Sequence, residues 1–126
     1  MDIKKSVEAF LKGENHVSHA YFVGSTLKNP LEYKKDEPII FKIKVVCDDG
    51  EDLSVPVISC FIESDDKNKE EKYISVSDDG WFYIETAIKR DGFVRIIAKA
   101  CDENKNEIEN IDKFEGGAGE IGRAHV

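Results

Sequence analysis

The sequence predicts an all-β antiparallel β-sandwich preceded by a short N-terminal helix. Apolar and polar residues alternate along several short stretches, the period of a strand with one buried face. These stretches recur at roughly 10–15-residue spacing, closer to a sandwich than to a strand-helix-strand sheet. Asp-Gly pairs at Asp49-Gly50, Asp79-Gly80 and Asp91-Gly92 punctuate them as turns do.

Taken in chain order, Ile3, Val7, Phe10 and Leu11 fall at i, i+4, i+7 and i+8, one face of a helix within residues 1–14, and Gly13 stands at its C-terminal stop. So short a helix is marginal alone and must dock on something. Residues 15–26 give a polar entry, then Ala20, Tyr21, Phe22 and Val23 as an edge strand closed by Gly24. Asn29, Pro30, Leu31, Glu32 and Tyr33 bring the chain to a turn around Lys35 and Asp36. In the next strand Ile39, Phe41, Ile43, Val45 and Cys47 point one way and Lys42 and Lys44 the other.

Residues 55–63 resume the strand pattern with apolar side chains on both faces, and Pro56 sits near the start, where a missing N–H is tolerable. A charged loop over 64–72 precedes a short strand at 73–76. Residues 81–88 then place Phe82, Ile84 and Thr86 inward, with Trp81, Tyr83 and Glu85 outward. The stretch around which the chain is organised is 91–106, where Val94, Ile96, Ala98 and Ala100 share one parity. Arg95 and Lys99 share the wet side with Phe93, Ile97 and Cys101. A last strand is expected over 107–114, carried by Ile108 and Ile111. After it, Gly116, Gly117 and Gly119 read as a domain joint, since glycine permits positive φ and close backbone approach.

The 126 residues suit one domain, which at this size buries roughly two-thirds of its unfolded surface without help from disulfides. A formal net charge of −8 argues against a nucleic-acid partner, whose phosphates need Lys and Arg, and against an anionic membrane surface. No apolar run approaches the ~20 residues of a membrane span and no secretory leader is apparent, so a cytoplasmic chain, or one that has lost its leader, is expected. Cys47, Cys60 and Cys101 make an odd number without a C-x-x-C spacing and read as small buried hydrophobes in a reducing compartment. A Cys47–Cys101 bridge is the alternative.

Chemistry finds little to stand on. A hydrolase elbow G-x-S-x-G is absent from the sequence, and Ser25 in Gly24-Ser25-Thr26 sits only at a strand end. His16 and His19 lie three apart without a cysteine or carboxylate at ligand spacing, so no metal site is expected. Asp102, Asn104 and Asn106 match the first three ligand positions of a calcium loop, but Glu107 stands where glycine is required and Lys113 where the bidentate glutamate belongs. A phosphate-cradling role for residues 116–119 lacks the following helix. No catalytic residue and no cofactor is assigned. Trp81 and Tyr83, outward and two apart, could form a flat platform for a sugar ring, an interface with another domain or subunit, or partly covered surface.

The segments NPLEYKKDEPIIFKIKV, DGWFYIETAIKRDGFVRIIAKACDENKN and IDKFEGGAGE together resemble the N-terminal region of bacterial acetylxylan esterases of the cephalosporin-C deacetylase type. The resemblance runs from about His19 to Glu120 and is specific in DGFVRI and KFEGGAG. It implies an immunoglobulin-like sandwich over 15–114, a Gly-rich joint over 115–120 and a missing α/β-hydrolase domain beyond, in which a Ser-His-Asp triad would lie. It further implies a non-catalytic accessory domain whose partners are that hydrolase domain and, through it, xylan-derived sugars, in a protein that oligomerises. An independent carbohydrate-binding module is the rival reading. The terminal IGRAHV, residues 121–126, is what a widely used sequencing adapter encodes in one frame and reads as an artefact, so His125 is not offered as a ligand.

Overall fold

The computed structural model describes residues 5–12, 19–24, 31–63 and 71–121. In chain order the elements are β1 (Lys5–Ser6), α1 (Val7–Leu11), β2 (Ala20–Val23), β3 (Leu31–Tyr33), β4 (Pro38–Cys47), β5 (Leu53–Ser54), β6 (Val57–Glu63), β7 (Lys72–Ser75), β8 (Phe82–Ala87), β9 (Phe93–Cys101) and β10 (Phe114–Glu120). A three-stranded sheet in the order β2-β4-β8 faces a five-stranded sheet in the order β3-β10-β9-β6-β7. All pairings within these sheets are antiparallel except β3 with β10. The chain is an immunoglobulin-like β-sandwich, with its final strand lying between β9 and a short early edge strand.

Alternation along the two longest strands, broken only where Val46 and Cys101 at their C-terminal ends are also buried, sets the core. On β4, Phe41, Ile43, Val45 and Cys47 are buried, while on β9 the buried row is Val94, Ile96, Ala98 and Ala100. These rows join Ile58 and Cys60 of β6, Phe82 and Ile84 of β8 and Ala118 of β10 in one cluster. The two-faced apolar pattern of 55–63 is thereby resolved. Ile58, Cys60 and Ile62 pair with the inward residues Ala100, Ala98 and Ile96, leaving Phe61 beside Ile97 on the outer face.

Three tight turns share one geometry. The Cys47 N–H donates to the Glu51 carbonyl (2.8 Å) and the Gly50 N–H to the Cys47 carbonyl (2.9 Å); Ser77-Gly80-Trp81 and Asp102-Lys105-Asn106 repeat the pattern. Each is a three-residue hairpin loop ending in a left-handed residue, at Gly50 (φ 87°), Gly80 (φ 86°) and Lys105 (φ 67°). The preceding aspartates serve these turns directly. Asp49 Oδ1 accepts from the Glu51 N–H, Asp79 Oδ1 from the Trp81 N–H, and Asp102 Oδ1 from the Asn104 and Asn106 N–H groups. The acidic loops are thus occupied by their own backbone, as turn chemistry requires.

The structure departs from the sequence reading in four places. The N-terminal helix is a single turn, Val7–Leu11, behind the two-residue strand β1, which pairs with β5. Residues 31–33, read only as a lead into a turn, form the edge strand β3. Ile108 and Ile111 are buried as expected, but residues 107 and 111 make only isolated bridges. The last strand is 114–120, the segment read as a joint, because its backbone pairs on both sides. The sandwich therefore extends through 120 rather than stopping at 114. The alternative Cys47–Cys101 bridge is not formed, since none of the three cysteines is in a disulfide. Strand parity explains it: Cys47 follows the inward row of β4, whereas Cys101 falls out of phase with the inward row of β9. Ser25, His16 and residues 122–126 lie outside the described residues.

One end of the sandwich is tied by Tyr33, a fully buried side chain. Its hydroxyl lies 2.7 Å from the Arg90 carbonyl and 2.8 Å from the Gly92 carbonyl, so a single O–H bridges the β8–β9 corner. The Tyr33 carbonyl in turn accepts from the Ile121 N–H (2.7 Å), and the Glu120 N–H donates to Gly92 (3.2 Å). Tyr33→Phe keeps the ring but leaves part-buried carbonyls with one donor fewer. It is expected to lower the unfolding free energy by about 1–2 kcal/mol with an unchanged urea m-value. A midpoint indistinguishable from the parent would show that the corner is held without the hydroxyl.

Candidate functional site

The outer face of the three-stranded sheet is where the expected aromatic pair lies. Trp81 immediately precedes β8 and is half-buried, whereas Tyr83, on β8 opposite Lys42 of β4, is exposed. Alternation on β4 brings Lys42 and Lys44 to the same face. The Lys42 ammonium lies 4.3 Å from the Trp81 ring centroid and 5.9 Å from that of Tyr83, and the Lys44 ammonium lies 4.8 Å from Trp81. Lys44 also meets Asp52 at 3.2 Å. Exposed cation–aromatic contacts contribute about 0.5–1 kcal/mol each. A sugar ring stacking on Trp81 would compete with two ammonium groups for it. Exposed Tyr21 and Ile40 widen the same face into an apolar and cationic surface.

Asp79 organises the rim of this surface. Its carboxylate accepts a short hydrogen bond from the Tyr83 hydroxyl as well as the Trp81 backbone N–H. The Tyr83 bond first, then the Trp81 bond, holds the Asp79 carboxyl below the ordinary aspartate range; the same hydrogen bond pushes the Tyr83 phenol up. For Asp79 the folded state releases its proton more readily, so the associated stabilisation is present above the unfolded value near pH 4. It is lost as pH falls through the folded value.

The glycines read as a joint are sheet residues. Gly116 faces inward opposite Ile96, Gly117 pairs with Arg95 and Gly119 with Phe93. Gly117 is buried beneath the Phe93 ring, and a Cβ placed on it would stand 2.3 Å from a ring carbon. Gly119 has open space where its Cβ would be. A side chain at Gly117 would therefore force the half-exposed Phe93 ring aside, whereas one at Gly119 would meet open space.

Other candidate chemistry is occupied or sequestered. His19 Nε2 meets Asp112 Oδ2 at 2.9 Å on the surface. Cys60 lies in the core, where burial pushes its thiol up to about 11, and burial raises Cys101 as well. Among the described residues no group of three or more His, Cys, Asp or Glu side chains is placed to hold a metal ion. The lysine contacts to the rings escaped the sequence reading. Their signal was present in the shared parity of Lys42, Lys44 and Trp81-x-Tyr83, but the β4–β8 register that unites them is a tertiary fact.

No family model matches the chain, and no curated protein matches it. Among solved structures, the CARDB domain of a Pyrococcus furiosus protein, in complex with di-metal ions, is similar over 81% of this chain and 90% of that one. The identity is 12% and the TM-score 0.45.

Two measurements test this geometry. Gly117→Ala should cost about 1–3 kcal/mol through overpacking against Phe93, and a Phe93→Ala background should remove most of that cost, whereas Gly119→Ala should be nearly neutral. Equal penalties at both glycines would contradict the placement of the ring. In an NMR titration the Asp79 carboxyl should have its midpoint below that of an ordinary aspartate, and Tyr83→Phe should move it back upward. An unmoved midpoint would show that the phenol is not the cause.

Proposed function

We propose that this chain is the non-catalytic N-terminal domain of a carbohydrate deacetylase of the acetylxylan esterase type, and that it positions or oligomerises an α/β-hydrolase domain. The observation that supports this reading most is where its specific segments fall: DGFVRI runs into β9 and KFEGGAG into β10, strands that pair with each other in the immunoglobulin-like sandwich. The same reading makes the full protein a cytoplasmic enzyme acting on acetylated xylan-derived sugars, with this piece contributing no reacting group.

Within this proposal the surface built from Trp81, Tyr83, Tyr21 and Ile40 is a domain or subunit interface. Lysine ammonium groups already lie over the Trp81 ring, which favours a packed or solvated face over a sugar platform. The independent carbohydrate-binding module remains the second reading because Tyr83 and Tyr21 are exposed on that face. Purified chain is expected to hydrolyse p-nitrophenyl acetate no faster than its denatured control. It is also expected to migrate through xylan-containing gels without retardation. Turnover above the control would overturn the accessory role. Retardation that Trp81→Ala with Tyr83→Ala abolishes would establish the binding module instead.

A further inference from the structure

The N-terminal segment stands apart from both sheets in the way it is held. β1 contributes two residues, Lys5 and Ser6, paired in parallel with β5, which is itself only two residues long. α1 is a single turn, and its Lys12 N–H reaches the Glu8 carbonyl at 3.1 Å. The Lys12–Glu8 ion pair is 2.9 Å long, but both side chains are more than half exposed, so it fixes little. Leu11 faces solvent. What fastens the segment is Phe10, 2% exposed and part of the common core, with Val7 packed beside it. α1 rests against β5, just beyond the turn that closes β4. A helical turn this short does not persist without such a contact.

We propose that residues 5–12 form a strap that opens as a unit while the two sheets stay folded. Opening withdraws Phe10 and uncovers the apolar end of the core at Leu53, which is 5% exposed when the strap is closed. The sheets have independent means of staying intact, because every residue of β4, β6 and β9 is paired with at least one neighbouring strand, and β6 and β9 are paired with two over part of their length. Among the described residues the strap has one aromatic anchor, Phe10, and one backbone pairing two residues long. Elements held in this way occupy the low-stability end of a protein's local unfolding spectrum.

Native-state hydrogen exchange on the full chain tests the strap. The Lys12 amide, bonded to Glu8, is expected to exchange at least ~100-fold faster than the mid-strand amides of β4 and β9. Phe10→Ala should release Lys12 further and raise binding of an apolar-surface dye, while β4 and β9 keep their protection to within about tenfold. Phe10→Leu, which retains an apolar anchor, should restore most of the closed state. Exchange of Lys12 at the rate of the sheet amides would overturn the proposal. So would a fall in β4 and β9 protection matching that of α1 in Phe10→Ala.

Discussion

The architecture depends on β9 being paired along both edges while turning one row of side chains into the core. Val94, Ile96, Ala98 and Ala100 reach the core from a strand that bonds β10 on one side and β6 on the other. A shift of either pairing by one residue would send Phe93, Arg95, Ile97 and Lys99 inward, and buried unpaired charge would oppose it strongly. β4 imposes the matching constraint on the opposite sheet, where Lys42 and Lys44 would be the misplaced charges. The register of the sandwich is thus fixed more by which side chains cannot be buried than by any single contact.

Around that frame, polar chemistry is spent on shape. Three of the loop aspartates, Asp49, Asp79 and Asp102, satisfy backbone amides in three turns of one geometry. Tyr33 does comparable work at the other end, where a phenol inside the core joins β3 to the β8–β9 corner and its own carbonyl holds the end of β10. Each device offsets a buried or turn-exposed backbone group that would otherwise be costly.

The surface that remains distinctive is the outer face of the small sheet. Trp81 and Tyr83 were expected there from alternation alone, and the structure adds Lys42 and Lys44 above the rings and Asp79 beneath the phenol. The aromatic pair thus carries its own cations and its own acceptor. The contrast between Gly117, covered by Phe93, and Gly119, with space above it, marks a second place where the outer surface is shaped residue by residue.

What the sequence determined by itself was periodicity: the inward rows of β4, β8 and β9, the hairpin turns at Asp-Gly and Asp-Glu-Asn-Lys, and the outward place of Trp81 and Tyr83 all follow from side chains alternating at period two. What only the tertiary structure decided was everything carried by residues with weak strand character or by partners distant in the chain. Phe114-Glu-Gly-Gly-Ala-Gly-Glu120 looks like a joint because glycine disfavours strands, yet it becomes a central strand once β3 and β9 flank it and Phe93 fills the place of a side chain at Gly117. Leu31–Tyr33 is too short for any periodicity to show, and its strand exists because β10 offers an edge and the β8–β9 corner offers carbonyls to Tyr33. Local pattern fixes which way a side chain points, whereas pairing partners and the space they leave fix whether a segment is a strand at all.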